Sequence, residues 1–320
     1  MGPLIRRRFR ELCFAVLAVA ALGLGGGAAL DGASLFVAAL TPGMAAQAES
    51  APRDGAMRLP LSGFDESRYA PQVLYPVVAR AVPDWLRAAP AHKAPPLVAI
   101  CIDDLGEDIA GTEEAVRLPK AVALSFLPYA ATTPGFAVRA AEEGHTVLAH
   151  VPMQPLGSSD PGPMALEVGM APDEILRRLN WSLARVPGAV GVNNHEGSRF
   201  TSDAAALAPV MAVLKARGLF FFDSRTSAAS KGAAAAEAAG VDSVSRDIFL
   251  DDDPRAAAVT AQLNALAAAA KRDGVAVAIG HPHAATLRLV KEWLAQDRGV
   301  RLVTLQEAMR AKKNKAVSAR

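Results

Sequence analysis

Leu97-Val98-Ala99-Ile100-Cys101-Ile102-Asp103-Asp104 is an apolar run of six residues that ends in two carboxylates. A run this short, bounded by Ala94-Pro95-Pro96 and Gly106, reads as a buried strand rather than a helix. Working outward from it, the same unit recurs. Apolar VALSFL (122–127), TVLAHV (146–151), GAVGV (188–192), LFFF (219–222), VDSVS (241–245), VAVAIG (275–280) and RLVTL (301–305) alternate with segments of helical periodicity. Helices are expected near 107–118, 133–143, 173–185, 203–216, 227–239, 254–273 and 283–297. Seven or eight β-α units in about 215 residues predict an α/β fold whose single parallel sheet is closed, or nearly closed, into a barrel over residues 97–310. No second domain is needed. Residues 311–320, with three lysines and an arginine, read as a basic tail.

The preceding segment has another character. Arg6, Arg7, Arg8 and Arg10 stand before nineteen uncharged residues, Leu12 to Leu30, the order of an export signal whose basic end stays in the cytoplasm. Residues 1–48 are therefore expected to be a signal peptide, cut at the small-x-small site Ala46-Gln47-Ala48, or a retained membrane anchor formed by residues 12–30. Either places the rest of the chain in the periplasm or otherwise outside the cytoplasm. Residues 49–96, rich in Pro, Ala and Arg, read as a linker. Without residues 1–48 the chain carries 30 basic and 30 acidic side chains, a balance that argues against nucleic acid as a partner. The two cysteines, Cys13 and Cys101, are too few for a disulfide framework or a thiolate metal site, so any metal must be held by histidine and carboxylate.

In a parallel barrel, ligands meet the carboxyl ends of the strands, so the polar residues that follow each apolar run are the informative ones. They are Asp103 and Asp104, His150, Asn193-Asn194-His195, Asp223-Ser224-Arg225, and His281-Pro282-His283. Each has an ordinary alternative: a helix cap for Asp103 or Asp104, a packed core histidine for His150, a turn for Asp223. His145, which precedes its strand, reads as a packed histidine, and Asp247 to Asp253 as a solvated acidic loop and helix cap. Independent core histidines have no reason to follow three different strands, and the coincidence favours one site.

At these residues the chain resembles the divergent polysaccharide deacetylases, a branch of the carbohydrate esterases with a NodB-like distorted (β/α) barrel. The resemblance rests on Ile102-Asp103-Asp104-Leu105-Gly106, on residues 144–155 from Gly144-His145 to Gln154-Pro155, on Asn193-Asn194-His195-Glu196-Gly197-Ser198-Arg199-Phe200-Thr201, on Phe222-Asp223-Ser224-Arg225-Thr226 and on Ile279-Gly280-His281-Pro282. It covers about residues 96–310. It implies a divalent metal, commonly zinc, with Asp104 as carboxylate ligand, His150 as first histidine ligand and Asp103 as catalytic base. The family's second histidine follows the first by four residues, where this chain has Gln154, and His195 is the natural substitute. Asp with two His is a sufficient catalytic zinc set. His281 would protonate a departing amine, and Asp223 or Asn194 would orient a histidine from behind. Arg199, Arg225, His283 and Gln154 complete the group expected to support the ligands from behind or to bind substrate.

The implied activity is removal of N-acetyl groups from a cell-envelope polysaccharide or peptidoglycan fragment. A barrel that binds an envelope glycan or partner without catalysis is the alternative, supported by Gln154. A glycosidase using Asp103 and Asp223 ranks last, because it leaves the histidines without a task.

Overall fold

The computed structural model describes residues 94–318. The expected export segment and nearly all of the linker lie outside them. Among the described residues no helix is long and apolar enough to cross a membrane.

The strands are β1 (Leu97–Leu105), β2 (Ala123–Phe126), β3 (Val147–Met153), β4 (Gly191–Glu196), β5 (Phe220–Asp223), β6 (Ser243–Ser245), β7 (Ile248–Phe249), β8 (Val275–Gly280) and β9 (Arg301–Leu302). Between them run α1 (Ile109–Val116), α2 (Thr133–Glu143), α3 (Pro172–Arg185), α4 (Ala204–Arg217), α5 (Gly232–Ala239), α6 (Ala256–Asp273) and α7 (Ala284–Leu294), and α8 (Leu305–Ser318) closes the chain. All pairings are parallel, in the order β6-β5-β4-β3-β2-β1-β8-β7, with β9 beside the start of β1. No pairing joins β6 to β7, so the barrel is open along one seam that Arg246 and Asp247 cross.

Period two along these strands sorts the two faces. Val98, Ile100 and Ile102 of β1, Val147, Ala149 and Val151 of β3, Phe221 of β5, and Ala276 and Ala278 of β8 pack into the layer shared with the helices. The opposite set, Ala99, Cys101, Leu148, Phe220, Phe222, Val275, Val277 and Ile279, fills the interior with Leu305 and Ala308 of α8. Continuing each interior series by two gives Asp103, His150 and His281. The interior thus changes from apolar to ionisable toward the carboxyl ends.

Helix limits follow local chemistry. Asp108, not Asp103 or Asp104, caps α1 by accepting from the Ala110 amide, and Asp203 caps α4 through the amides of Ala205 and Ala206. Residues 311–318, within the expected basic tail 311–320, continue α8, and their charges are engaged: Lys312 lies 2.6 Å from Asp247, Lys313 lies 3.0 Å from Asp242, and Lys315 donates to the Asp273 carbonyl. His145 is a packed histidine, its two ring nitrogens 2.9 and 3.0 Å from the carbonyls of Val122 and Val116.

Candidate metal centre

Asp103 and Asp104 are consecutive, so a regular strand would point them to opposite faces. The β1–β2 register shifts between Ile102 and Leu105, and Asp104 adopts a left-handed φ of 57°. That irregularity, one that Asp tolerates better than most residues, turns both carboxylates into one cleft. His150 pairs with Asn193 and Pro152 with His195 across β3 and β4, so His150, Asn193 and His195 share a face. On the other flank Gly280 pairs with Ile102, which brings His281 out beside Asp103.

Asp104 Oδ1 lies 3.0 Å from His150 Nε2 and 2.9 Å from His195 Nδ1, and the two nitrogens are 3.2 Å apart. These three atoms come from three strand ends and form a compact triangle. His150 is 2% exposed, so its ring is held rather than waving. Asp104 Oδ1 is buried and faces no polar partner besides these two ring nitrogens. Such a set of lone pairs, two imidazole nitrogens facing one carboxylate oxygen, is what a divalent cation satisfies. The residues present fit a metal. Cys101 does not compete, because burial and then the charge of Asp103 push its thiol well above the ordinary cysteine range.

The cluster's electrostatics agree. Burial raises the affinity of Asp104 for a proton, but hydrogen bonding to His150 and His195 outweighs it and holds the carboxyl far below the usual range. Burial lowers the pKa of His150, and the neighbouring charges of Asp103 and Asp104 reverse the direction. A bound cation would take over the role of those protons.

Asp103 sits behind the triangle, 1% exposed, with Oδ2 3.8 Å from His150 Nε2. Asn193 Nδ2 donates to both of its oxygens at 3.0 and 2.9 Å, and Asn193 Oδ1 accepts from Ser125 at 2.5 Å. His281 Nε2 lies 3.8 Å from Asp104 Oδ2. Its Nδ1 is 2.9 Å from Asp251 Oδ1, and its amide donates to Asp251 Oδ2, which also accepts from Thr286. Burial pulls the His281 pKa down, but the Asp251 hydrogen bond and the charges of Asp104, Asp251 and Asp103 push it up to about 9.

Asp251 corrects one reading. Within a run expected to be a solvated loop, its side chain is 0% exposed and fixes the histidine. The residues expected to orient histidines do otherwise. Asp223 accepts from the Arg225 amide and the Ser230 hydroxyl, a turn role, and Asn194 accepts from the Ser224 amide and donates to the Glu196 carbonyl. Gln154 does not join the cluster: its Oε1 accepts from the Val168 amide, and with exposed Arg199 it lines a separate cleft. His283 is exposed at the start of α7, its ring centroid 6.1 Å from that of His281. Arg225 lines the cleft of the cluster, which measures about 630 Å³ and is also walled by Arg246, Phe249 and Asp252. Sequence reasoning passed over Asn193 as a partner of Asp103, although its place one residue before Asn194 on an interior face was readable by period two.

A relative of Escherichia coli (strain K12), the uncharacterized protein YibQ, is 36% identical over 195 residues, 61% of this chain and 61% of its own length. The chain thus spans less than two thirds of that relative. An uncharacterized protein of Haemophilus influenzae is 34% identical over 197 residues, 62% of this chain and 70% of its own. A crystal structure of an uncharacterized Agrobacterium tumefaciens C58 protein superposes with a TM-score of 0.63 at 30% identity, covering 66% of this chain and 88% of that one. The family model described as divergent polysaccharide deacetylase matches residues 100–309, from the first strand into the first turn of the last helix and across every residue of the cluster. That match spans nearly the whole parallel barrel and its strand-end cluster, and the chain belongs to the divergent polysaccharide deacetylase family.

Proposed function

We propose that the protein is a metal-dependent hydrolase, with zinc as its ion, that removes N-acetyl groups from an amino sugar of a cell-envelope polysaccharide or peptidoglycan fragment. The observation that carries this is the convergence of Asp104 Oδ1, His150 Nε2 and His195 Nδ1 within 3.2 Å of one another on the wall of an open cleft. Three protein ligands with an open side is the pattern of catalytic zinc, whereas structural sites are closed by four. When bound, the ion supplies a Lewis acid and lowers the pKa of water to about 7.

The chain's own residues divide the proton work. Asp103, a carboxylate steadied by Asn193, takes a proton on the side of β1. His281, clamped by Asp251 through both its ring and its amide, presents Nε2 and delivers a proton to the departing amine. The arginine flank and the apolar run of residues 12–30 support action outside the cytoplasm, with the body tethered through the linker or released from it.

The test combines metal analysis with acetate release from chitooligosaccharide and peptidoglycan fragments. Asp103→Asn and His281→Ala should each lower turnover by roughly 10²–10⁴-fold while metal content stays near wild type. A metal-loaded wild-type protein that releases no acetate, yet binds either glycan equally with and without these substitutions, would make the barrel a recognition module.

A further inference from the structure

The two residues that cross the barrel's seam have different surroundings. Asp247 is neutralised by Lys312 and accepts the Val277 amide. Arg246 has no such counter-charge. Its Nε donates to the Ser224 carbonyl at 2.6 Å, Nη2 donates to the Arg225 carbonyl at 2.8 Å, and the guanidinium carbon stands 4.9 Å from the centre of the Phe249 ring. Two carbonyls and an aromatic face fix the plane of the group without supplying a negative charge. Among the described residues no carboxylate reaches ion-pair distance of it, and Asp103, Asp223 and Asp252 act on it only from farther off. Five N–H donors on a guanidinium leave this one with unspent donors in a wall of the cleft. Burial, then the like charge of Arg225, pull its pKa below the ordinary value, as expected of a cation short of a partner.

Arg225 lies on the same cleft. Its residue is exposed, and its backbone takes a left-handed φ of 50°, uncommon for a long side chain. Among the described residues four that are not glycine have positive φ, and Asp104, Glu196 and Arg225 are the three of them that line this cleft. Such conformations persist where surrounding structure imposes them, and they cluster at functional sites. Here the turn is held by Asp223, which accepts the Arg225 amide, and by Arg246, which binds the Arg225 carbonyl.

We propose that Arg246 and Arg225 form a subsite for a carboxylate carried by the substrate. Resting on the deacetylase reading above, this makes the preferred substrate an N-acetylated sugar that bears an acidic substituent close to the acetamido group, rather than a neutral chitin-like chain. A planar fork fixed by backbone carbonyls suits a planar carboxylate, and charge-assisted hydrogen bonds of this kind are the strong ones.

Two disaccharides form the test pair. N-acetylglucosaminyl-N-acetylmuramic acid differs from N,N′-diacetylchitobiose by one lactyl ether carboxylate. With the metal-loaded full chain, kcat/KM for the acidic disaccharide should exceed that for the neutral one by about tenfold or more. Arg246→Gln and Arg225→Gln should each cut that ratio, and the double substitution should bring it near one. Arg225→Gln guards against loss of fold, because among the described residues its side chain forms no hydrogen bond or ion pair, and thermal unfolding of each variant checks this. A wild-type ratio near one overturns the proposal, as does equal slowing on both disaccharides, which would mean the guanidinium groups serve the acetyl group common to both. Release of acetate from neither substrate refutes the deacetylase reading instead. Calorimetric binding of the same pair then decides the subsite: a preference for the acidic disaccharide that Arg225→Gln abolishes upholds it, and equal or absent binding sinks it.

Discussion

His195→Ala is the substitution that tests whether His195 is the second histidine of the candidate metal set. His195 Nδ1 is 2.9 Å from Asp104 Oδ1 and 3.2 Å from His150 Nε2, so its removal takes one of three donors from the triangle. Four-ligand zinc sites bind with about 10–16 kcal/mol, roughly 3 kcal/mol for each ligand, and one ligand lost from an already preformed site should weaken binding by about 10²–10³-fold. His195 side-chain exposure is 19%, so the alanine leaves a pocket that water can enter and the fold should stand. Gln154→Ala is the matched control. Its side chain bonds the Val168 amide beside a different cleft, and its loss should leave metal affinity within about twofold of wild type while loosening the loop it braces. Competition against a chromophoric zinc chelator at fixed pH reads both affinities. Undiminished affinity in His195→Ala, or a fall of a hundredfold in Gln154→Ala, would refute the assignment of His195 as the third ligand.

Other outcomes follow from the same geometry. In the metal-free protein His281 has a pKa raised from 6.5 to about 9, so the stability drawn from its pairing with Asp251 and from the charges of Asp104 and Asp103 is fully present below about pH 6.5 and is lost as pH rises through about 9. The shift corresponds to something on the order of 3 kcal/mol, and Asp251→Asn should flatten that part of a plot of Tm against pH; an unchanged alkaline limb would contradict the pairing. Gly191→Ala should destabilise by about 1–3 kcal/mol in denaturant titration, because a Cβ there would stand 2.9 Å from the Phe220 carbonyl oxygen, which cannot rotate away. A reporter fused after residue 96 should be active outside the cytoplasm and silent within it, and cytoplasmic activity would count against the export reading.

The strands from β1 to β5 and β8 were readable because each is a short apolar run with a turn on either side, and the helices because period 3.6 separates them. Asp104, His150 and His195 were readable as the polar residues just past three such runs. β7, with two residues, has no period to detect, and α8 was hidden because its lysines resemble a free tail until their partners on the barrel are in place. The same holds for Asp251 and Arg246. One is an acid among acids and the other an arginine in a loop, and what distinguishes them is the neighbour that folding brings from β8 or from the end of β5. Continuing the interior series of each strand by two would have reached Asn193, the residue that steadies Asp103.

The unpaired edge between β6 and β7 gives the wall of the cleft an uneven resilience. Along β1 and β8 six successive residue pairs tie the strands, and parting them means breaking a ladder of backbone bonds. At the seam no ladder joins β6 to β7: the chain crosses it with the Arg246 amide on the Asp223 carbonyl and the Asp247 amide on the Val277 carbonyl, and side chains add the grip of Arg246 on two carbonyls and the clasp of Lys312 on Asp247. Such fastenings yield one at a time, and the exposed ion pair among them weakens with ionic strength. Fast backbone amide exchange should therefore concentrate over residues 243–249, the place where the vessel gives, while the strand ends that carry Asp104, His150 and His195 stay rigid.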